Sequence, residues 1–142
     1  MSTVRDMLRK KGSEIYSVTP NETVYDALAS MAKHNTGAVL VMTGNEVEGI
    51  VSERDCVRKL DLMGRNSKTT KVSEIMTAKV INVDASQDLE ECMNLMIENN
   101  IRHLPVYDGS KLMGLISVRD VLKEVVDYQR SLIAQLEQYI KG

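Results

Sequence analysis

Two short stretches carry the residues best suited to chemistry: Gly49-Ile50-Val51-Ser52-Glu53-Arg54-Asp55 and Gly114-Leu115-Ile116-Ser117-Val118-Arg119-Asp120. Each reads as the end of a buried strand, a sharp turn and the first turn of a helix. Ser-x-x-Asp at a helix start is first of all a capping box, in which the hydroxyl accepts an amide hydrogen and the acid reaches back. The same geometry also suits a ligand. A helix N-terminus offers backbone amides and a positive dipole end to an anion. An aspartate on the first turn can take both hydroxyls of a ribose, and the glycine three positions before the serine leaves room on the strand for a flat ring. A single copy would be read as a cap. Two copies that keep Gly, Ser, Arg and Asp favour a binding site.

The elements that must hold these motifs are repeated as well. Laid over each other without a gap, 17–55 and 82–120 agree at Val18/Val83, Met31/Met96, Asn35/Asn100, Val41/Val106 and Gly44/Gly109, and again at Gly, Ser, Arg and Asp of the motif. Chance would give about two or three such agreements at ordinary residue usage, so the chain is a tandem duplication. In the first copy Thr3–Leu8 opens a short helix with Thr3 as N-cap and Gly12 as its end, and Ile15–Val18 is a strand. Thr23 and Asp26 form a capping box before a helix that breaks at Asn35–Gly37. Ala38–Met42 and Val47–Val51 pair as a hairpin, and Ser52 starts a helix through Leu60. The second copy predicts a short helix at Val72–Met76, a strand at Val80–Val83, a helix at Asp88–Asn99, a hairpin of Leu104–Tyr107 with Lys111–Ile116, and a last helix from Ser117. That helix keeps an apolar stripe almost to Gly142 through Val121, Leu122, Val125, Val126, Leu132, Ile133, Leu136, Tyr139 and Ile140. The stripe is longer than a half of this size can cover, which predicts a dimerisation or partner-docking helix. The expected organisation is a first repeat over 1–62, a linker over 63–70, a second repeat over 71–124 and the C-terminal helix over 125–142.

Composition narrows the function classes. The net charge is −2, with 18 basic and 20 acidic side chains mixed along the chain, so no basic field invites nucleic acid. Cys56 and Cys92 stand apart in no CxxC context, which indicates neither a disulfide framework nor a zinc site; both are expected in the core. No apolar run approaches the roughly 20 residues of a membrane span, and the N-terminus lacks a signal-peptide core, so the expected location is the cytoplasm. With no Phe and no Trp, the core must be filled by the nine Met and the many Val, Ile and Leu. No nucleophile–base pair, metal cluster or P-loop is evident, so an enzyme is not expected.

The Gly-h-h-Ser-x-x-Asp motif, the strand Arg102-His103-Leu104-Pro105-Val106 and the duplication resemble a pair of cystathionine-β-synthase (CBS) domains, a Bateman module. The linker and tail further resemble stand-alone two-repeat members from bacteria and plant organelles. The resemblance implies an α+β fold of two pseudo-symmetric β-α-β-β-α repeats with short antiparallel or mixed sheets, followed by the long C-terminal helix. It also implies a regulatory module, commonly a homodimer, that binds an adenosine-bearing ligand: AMP, ADP or ATP first, NAD or S-adenosylmethionine as alternatives. In that family each cleft mixes the repeats. One would hold Ser52 and Asp55 with Val80, Ile81, Ile101, Arg102, His103 and Pro105; the other would hold Ser117 and Asp120 with Ile15, Tyr16, Thr36, Gly37 and Ala38. The aspartates would take ribose, the serines and helix amides phosphate, and Arg102 would be the phosphate clamp. Arg54 and Arg119 would assist or stay solvated. On this assignment the Asp120 cleft lacks the Arg102–His103 pair and is the weaker site for polyphosphates. His103 is expected to contact phosphate or backbone rather than a metal, and His34 to cap its helix.

Two function classes follow. The first is a nucleotide sensor that signals to a separate regulated protein; the second is a dimeric adaptor that acts without nucleotide.

Overall fold

The structure, a computed structural model, describes residues 2–142. Its element order is α1 (Val4–Lys11), β1 (Ser17–Val18), α2 (Val24–His34), β2 (Ala38–Thr43), β3 (Glu46–Ser52), α3 (Glu53–Cys56), β4 (Val83–Asp84), α4 (Leu89–Asn99), β5 (His103–Asp108), β6 (Lys111–Ser117) and α5 (Val118–Lys141). A π-helical turn, Val57–Asp61, continues α3, and Val72–Glu74 forms a single 3-10 turn. There are two three-stranded sheets, β1-β2-β3 and β4-β5-β6. Each is mixed: the first strand runs parallel to the second, and the second pairs antiparallel with the third.

The chain divides into two compact units, Ile15–Val80 and Ile81–Gly142 with the N-terminal segment through Glu14. Compactness and sequence repeat are therefore offset by one leading segment. The N-terminal leader packs with the second repeat, where Val4 N donates to Gln87 O at 2.9 Å and Arg5 N to Ala85 O at 2.9 Å. The inter-repeat leader packs with the first, where Val72 N donates to Glu22 O at 2.8 Å and Ser73 N to Pro20 O at 3.1 Å. These four acceptors sit at matched repeat positions. The physical cause is the shared spacing Val4/Met7/Leu8 and Val72/Ile75/Met76, which gives each leader an apolar edge that the receiving sheet buries.

Local chemistry explains the element ends. Thr3, Thr23, Ser52 and Ser117 all close full capping boxes with the acid three residues on. Asp88 caps α4 by accepting from Glu91 N at 2.8 Å, but the Glu91 carboxylate turns to Gln87 at 3.1 Å instead of closing the box. Asn35 and Asn100 end α2 and α4 in the left-handed region at φ 51°, which Asn tolerates and few other residues do.

The strands Ile15–Val18 and Val80–Val83 are shorter than the sequence predicts, because only two residues of each copy join the parallel ladder. The helix expected at Val72–Met76 is reduced to one turn because Thr77 leaves it to pair with Ile50. The cores are aliphatic. Val18, Val24, Val39, Val41 and Val51 centre one unit, and Val4, Leu89, Leu104, Val106 and Ile116 the other. Methionine contributes less than expected: Met7, Met31 and Met96 are buried, whereas Met63 is 61 % exposed.

Candidate functional site

Each unit assembles its own serine–aspartate corner. In the Ile15–Val80 unit, β2 places Thr36, Gly37 and Ala38 against the start of α3, and Glu53 N donates to Gly37 O at 3.0 Å. Ser52 N and Ser52 Oγ both donate to Asp55 Oδ2 at 3.0 Å, while Asp55 N donates to Ser52 Oγ at 3.1 Å. Lys59, one turn on, approaches Asp55 Oδ1 at 3.4 Å and donates to Ile75 O at 2.8 Å.

In the second unit, Val118 N donates to Arg102 O at 2.8 Å, so β5 sets Arg102 and His103 beside Ser117. Ser117 N donates to Asp120 Oδ2 at 2.8 Å and Asp120 N to Ser117 Oγ at 3.1 Å. Here the cation comes from α1: Lys11 Nζ donates to the same Oδ2 at 2.6 Å and to Leu115 O at 2.7 Å. Lys10 meets Glu124 at 3.3 Å one turn further along α5, where the carboxylate is nearly buried. Met7, Lys10, Lys11, Asp120, Lys123, Glu124 and Asp127 line an open hollow of about 330 Å³.

Electrostatics follow from these contacts. Burial on its own raises the Asp120 carboxyl, but the Lys11 and Ser117 hydrogen bonds outweigh it and hold the group below the usual carboxylate range. Burial pulls the His103 imidazole down to about 4; Asp120 opposes this, while Lys11 and Arg102 reinforce it. His103 is thus neutral at physiological pH. Burial, assisted by neighbouring acids, raises the Cys56 and Cys92 thiols to about 11, in keeping with their core positions.

Two details revise the reading of the motif. Two of the helix-start amides are engaged in each copy: the first donates to the residue just before β2 or β5 (Gly37 O, Arg102 O) and the third to the serine. The helix starts are therefore poor phosphate cradles as they stand. The glycines are not open to solvent either. A Cβ at Gly49 would lie 2.6 Å from Met76 Sδ and 2.9 Å from Thr77 O, and one at Gly114 would lie 3.0 Å from Leu8 Cδ2. Glycine at these positions admits the protein's own leader segment, so the space expected for a flat ring is filled.

The remaining expected residues are placed as follows. Ile15, Tyr16, Arg54 and Val80 belong with Asp55 in the first unit; Ile81, Ile101, Pro105 and Arg119 belong with Asp120 in the second. Ile81 and Ile101 pack against the second core, and Pro105 is buried in the β5–β6 ladder. Arg102 and Arg119 are exposed, while Arg54 is half-buried. The Tyr16 ring stacks on His34 with centroids 3.7 Å apart and planes 10° from parallel, so His34 packs on an aromatic ring rather than serving as the helix cap, a position Asn35 holds. The sequence reading missed Lys11 and Lys59. Lys59 was legible, being four residues after Asp55 on one helix face. Lys11 reaches Asp120 only through the exchanged leader. Among the described residues no group of His, Cys, Asp and Glu could hold a metal ion, and no helix is long and apolar enough to cross a membrane.

Comparison with known proteins agrees with this architecture. The CBS domain profile matches residues 4–62 and 72–127. The mitochondrial CBS domain-containing protein CBSX3 of Arabidopsis thaliana is 39 % identical, over 99 % of this chain and 73 % of its own length. That relative's name ties it to mitochondria, so a cytoplasmic location is not general among such proteins. A solved CBS-domain protein from Burkholderia ambifaria is 51 % identical, with a TM-score of 0.86 over 89 % of this chain and 95 % of that one. The CBS domain pair of protein MJ0100, solved with 5′-methylthioadenosine and S-adenosyl-L-methionine, shares the fold at 21 % identity and a TM-score of 0.77, covering 90 % and 98 % of the two chains.

Proposed function

This chain belongs to the CBS-domain family, and on that premise we propose that it senses an adenosine nucleotide and reports it to a separate protein. AMP, ADP and ATP are the preferred ligands, with NAD and S-adenosylmethionine as the alternatives. The observation that carries this reading is the doubled serine–aspartate corner, each partly buried carboxylate already facing an ammonium. A carboxylate on a fixed first helical turn is suited to accept both ribose hydroxyls. With the first and third helix amides engaged, phosphate donors come from side chains; Arg102 and Arg119 are both exposed, and Arg102 is the guanidinium assigned the bidentate grip.

The two corners differ in what a ligand must displace. At Asp120 the Lys11 ammonium donates directly at 2.6 Å; at Asp55 the Lys59 contact is longer, at 3.4 Å. A ribose entering at Asp120 competes with Lys11, which supports Asp55 as the tighter site. Signalling then reduces to differential affinity: the ligand stabilises one arrangement of the protein over another, and the regulated partner reads the difference. That partner, like the homodimer, is part of the proposal.

Calorimetry on the full chain tests the ranking. Asp55→Ala removes two charge-assisted hydrogen bonds and is expected to weaken ATP binding roughly tenfold or more, with Asp120→Ala costing less. A larger loss at Asp120 would reverse the ranking. Loss at neither would remove the aspartates from the site.

A further inference from the structure

Beyond the unit that anchors it, α5 leaves its neighbours behind. Val121 and Glu124 are its last buried residues, Val125 is half-buried, and everything from Val126 to the end is exposed. Ile133 is 55 %, Leu136 61 % and Ile140 81 % exposed, a row of branched side chains that a solvated helix would not normally carry. The row is ordered. Leu122, Val126, Gln129, Ile133, Leu136 and Ile140 alternate spacings of four and three, the seam of a coiled coil.

We infer that this helix pairs antiparallel with the same helix of a second copy, with Ile133 facing the partner's Leu136 and Gln129 the partner's Ile140. Two observations select that occupant and direction. The first is charge. The seam is flanked on one side by Arg130 and Glu137 and on the other by Val125, Leu132 and Tyr139. In an antiparallel pair like flanks meet, so Arg130 faces the partner's Glu137 twice over by symmetry, and Leu132 packs on the partner's Tyr139. A parallel pair would gain a Gln129–Gln129 contact but would set Arg130 against valine and Glu137 against leucine. The second is self-complementarity. An isologous contact needs both halves of each pair on one surface, and this one helix face carries them both.

The pairing is independent of nucleotide, and sedimentation of the full chain without ligand tests it. Leu136→Asp is expected to halve the sedimented mass; an unchanged mass would overturn the proposal, as would a monomeric wild-type protein. Arg130→Glu and Glu137→Arg should each weaken association about tenfold, and the double exchange Arg130→Glu/Glu137→Arg should restore it. Single variants that associate like wild type would exclude this register, since a parallel pair or a different partner leaves those two positions unmatched. Both charge positions are exposed in the isolated chain, so the variants keep the fold intact for the comparison.

Discussion

Asp120 and His103 show how one residue's surroundings set its role. The imidazole sits among Lys11, Arg102 and Asp120 and is held neutral chiefly by burial, titrating at about 4 instead of 6.5. In the unfolded chain the same group takes a proton at the ordinary value. Between pH 6.5 and 4 the unfolded state therefore binds more protons, so stability is full above that window and falls as pH drops through it. His103→Gln should flatten this part of the stability profile in urea titrations between pH 7 and 4.5; an unchanged slope would place the acid sensitivity elsewhere. At Asp120 the competing cation gives a second expectation. The exposed part of the Lys11 pair is screened, so its displacement costs on the order of 1 kcal/mol. Lys11→Met, made in Asp55→Ala protein to isolate the second corner, should tighten the remaining nucleotide binding about fivefold. Weaker binding would make Lys11 a phosphate ligand. The serines and aspartates were legible from sequence because a capping box is a local pattern. Lys11 was not, because nothing in a sequence says that the leader of one repeat will close on the other.

The exchanged leaders are the feature of the elements that matters most. Each unit takes its first turn from the other repeat, with the same hydrogen bonds in both copies. The two leaders nevertheless differ: one is the full helix α1, the other a single 3-10 turn that runs straight into the Ile50–Thr77 bridge. That difference decides what fills the space over the motif glycines. At Gly49 the neighbour is a backbone carbonyl and a thioether; at Gly114 it is the flexible end of Leu8. Gly49→Ala should therefore destabilise by about 2 kcal/mol or more and Gly114→Ala by less than about 1 kcal/mol, measured by urea unfolding. Equal losses would mean that the leaders seal both sheets alike. Helices, hairpins and caps were readable in advance because periodicity and turn chemistry act over a few residues. The short parallel strands were overextended because their length depends on a partner strand far away in sequence.

For the molecule as a whole, duplication explains both the symmetry and its breaking. Two repeats with identical Gly, Ser, Arg and Asp give two equivalent corners, but the cations differ in origin: Lys59 comes from the corner's own helix and Lys11 from the N-terminal leader. Lys59 and Glu124 occupy matching repeat positions with opposite charge, and Glu124 is answered by Lys10 from the longer leader. Such asymmetry suits a sensor that fills one site before the other. The duplication and the class of fold were visible in the sequence. The order of the two sites was argued there from Arg102 and His103; in the structure both lie beside Ser117 in the unit that holds Asp120, so the ranking rests instead on the cation at each carboxylate. The central claim is that an adenosine-bearing ligand binds here, and isothermal titration of the full chain with AMP, ATP, NAD and S-adenosylmethionine tests it most directly. The expected result is saturable binding of one of the four with a dissociation constant on the order of micromolar. No heat from any of them would contradict it and leave the protein an adaptor.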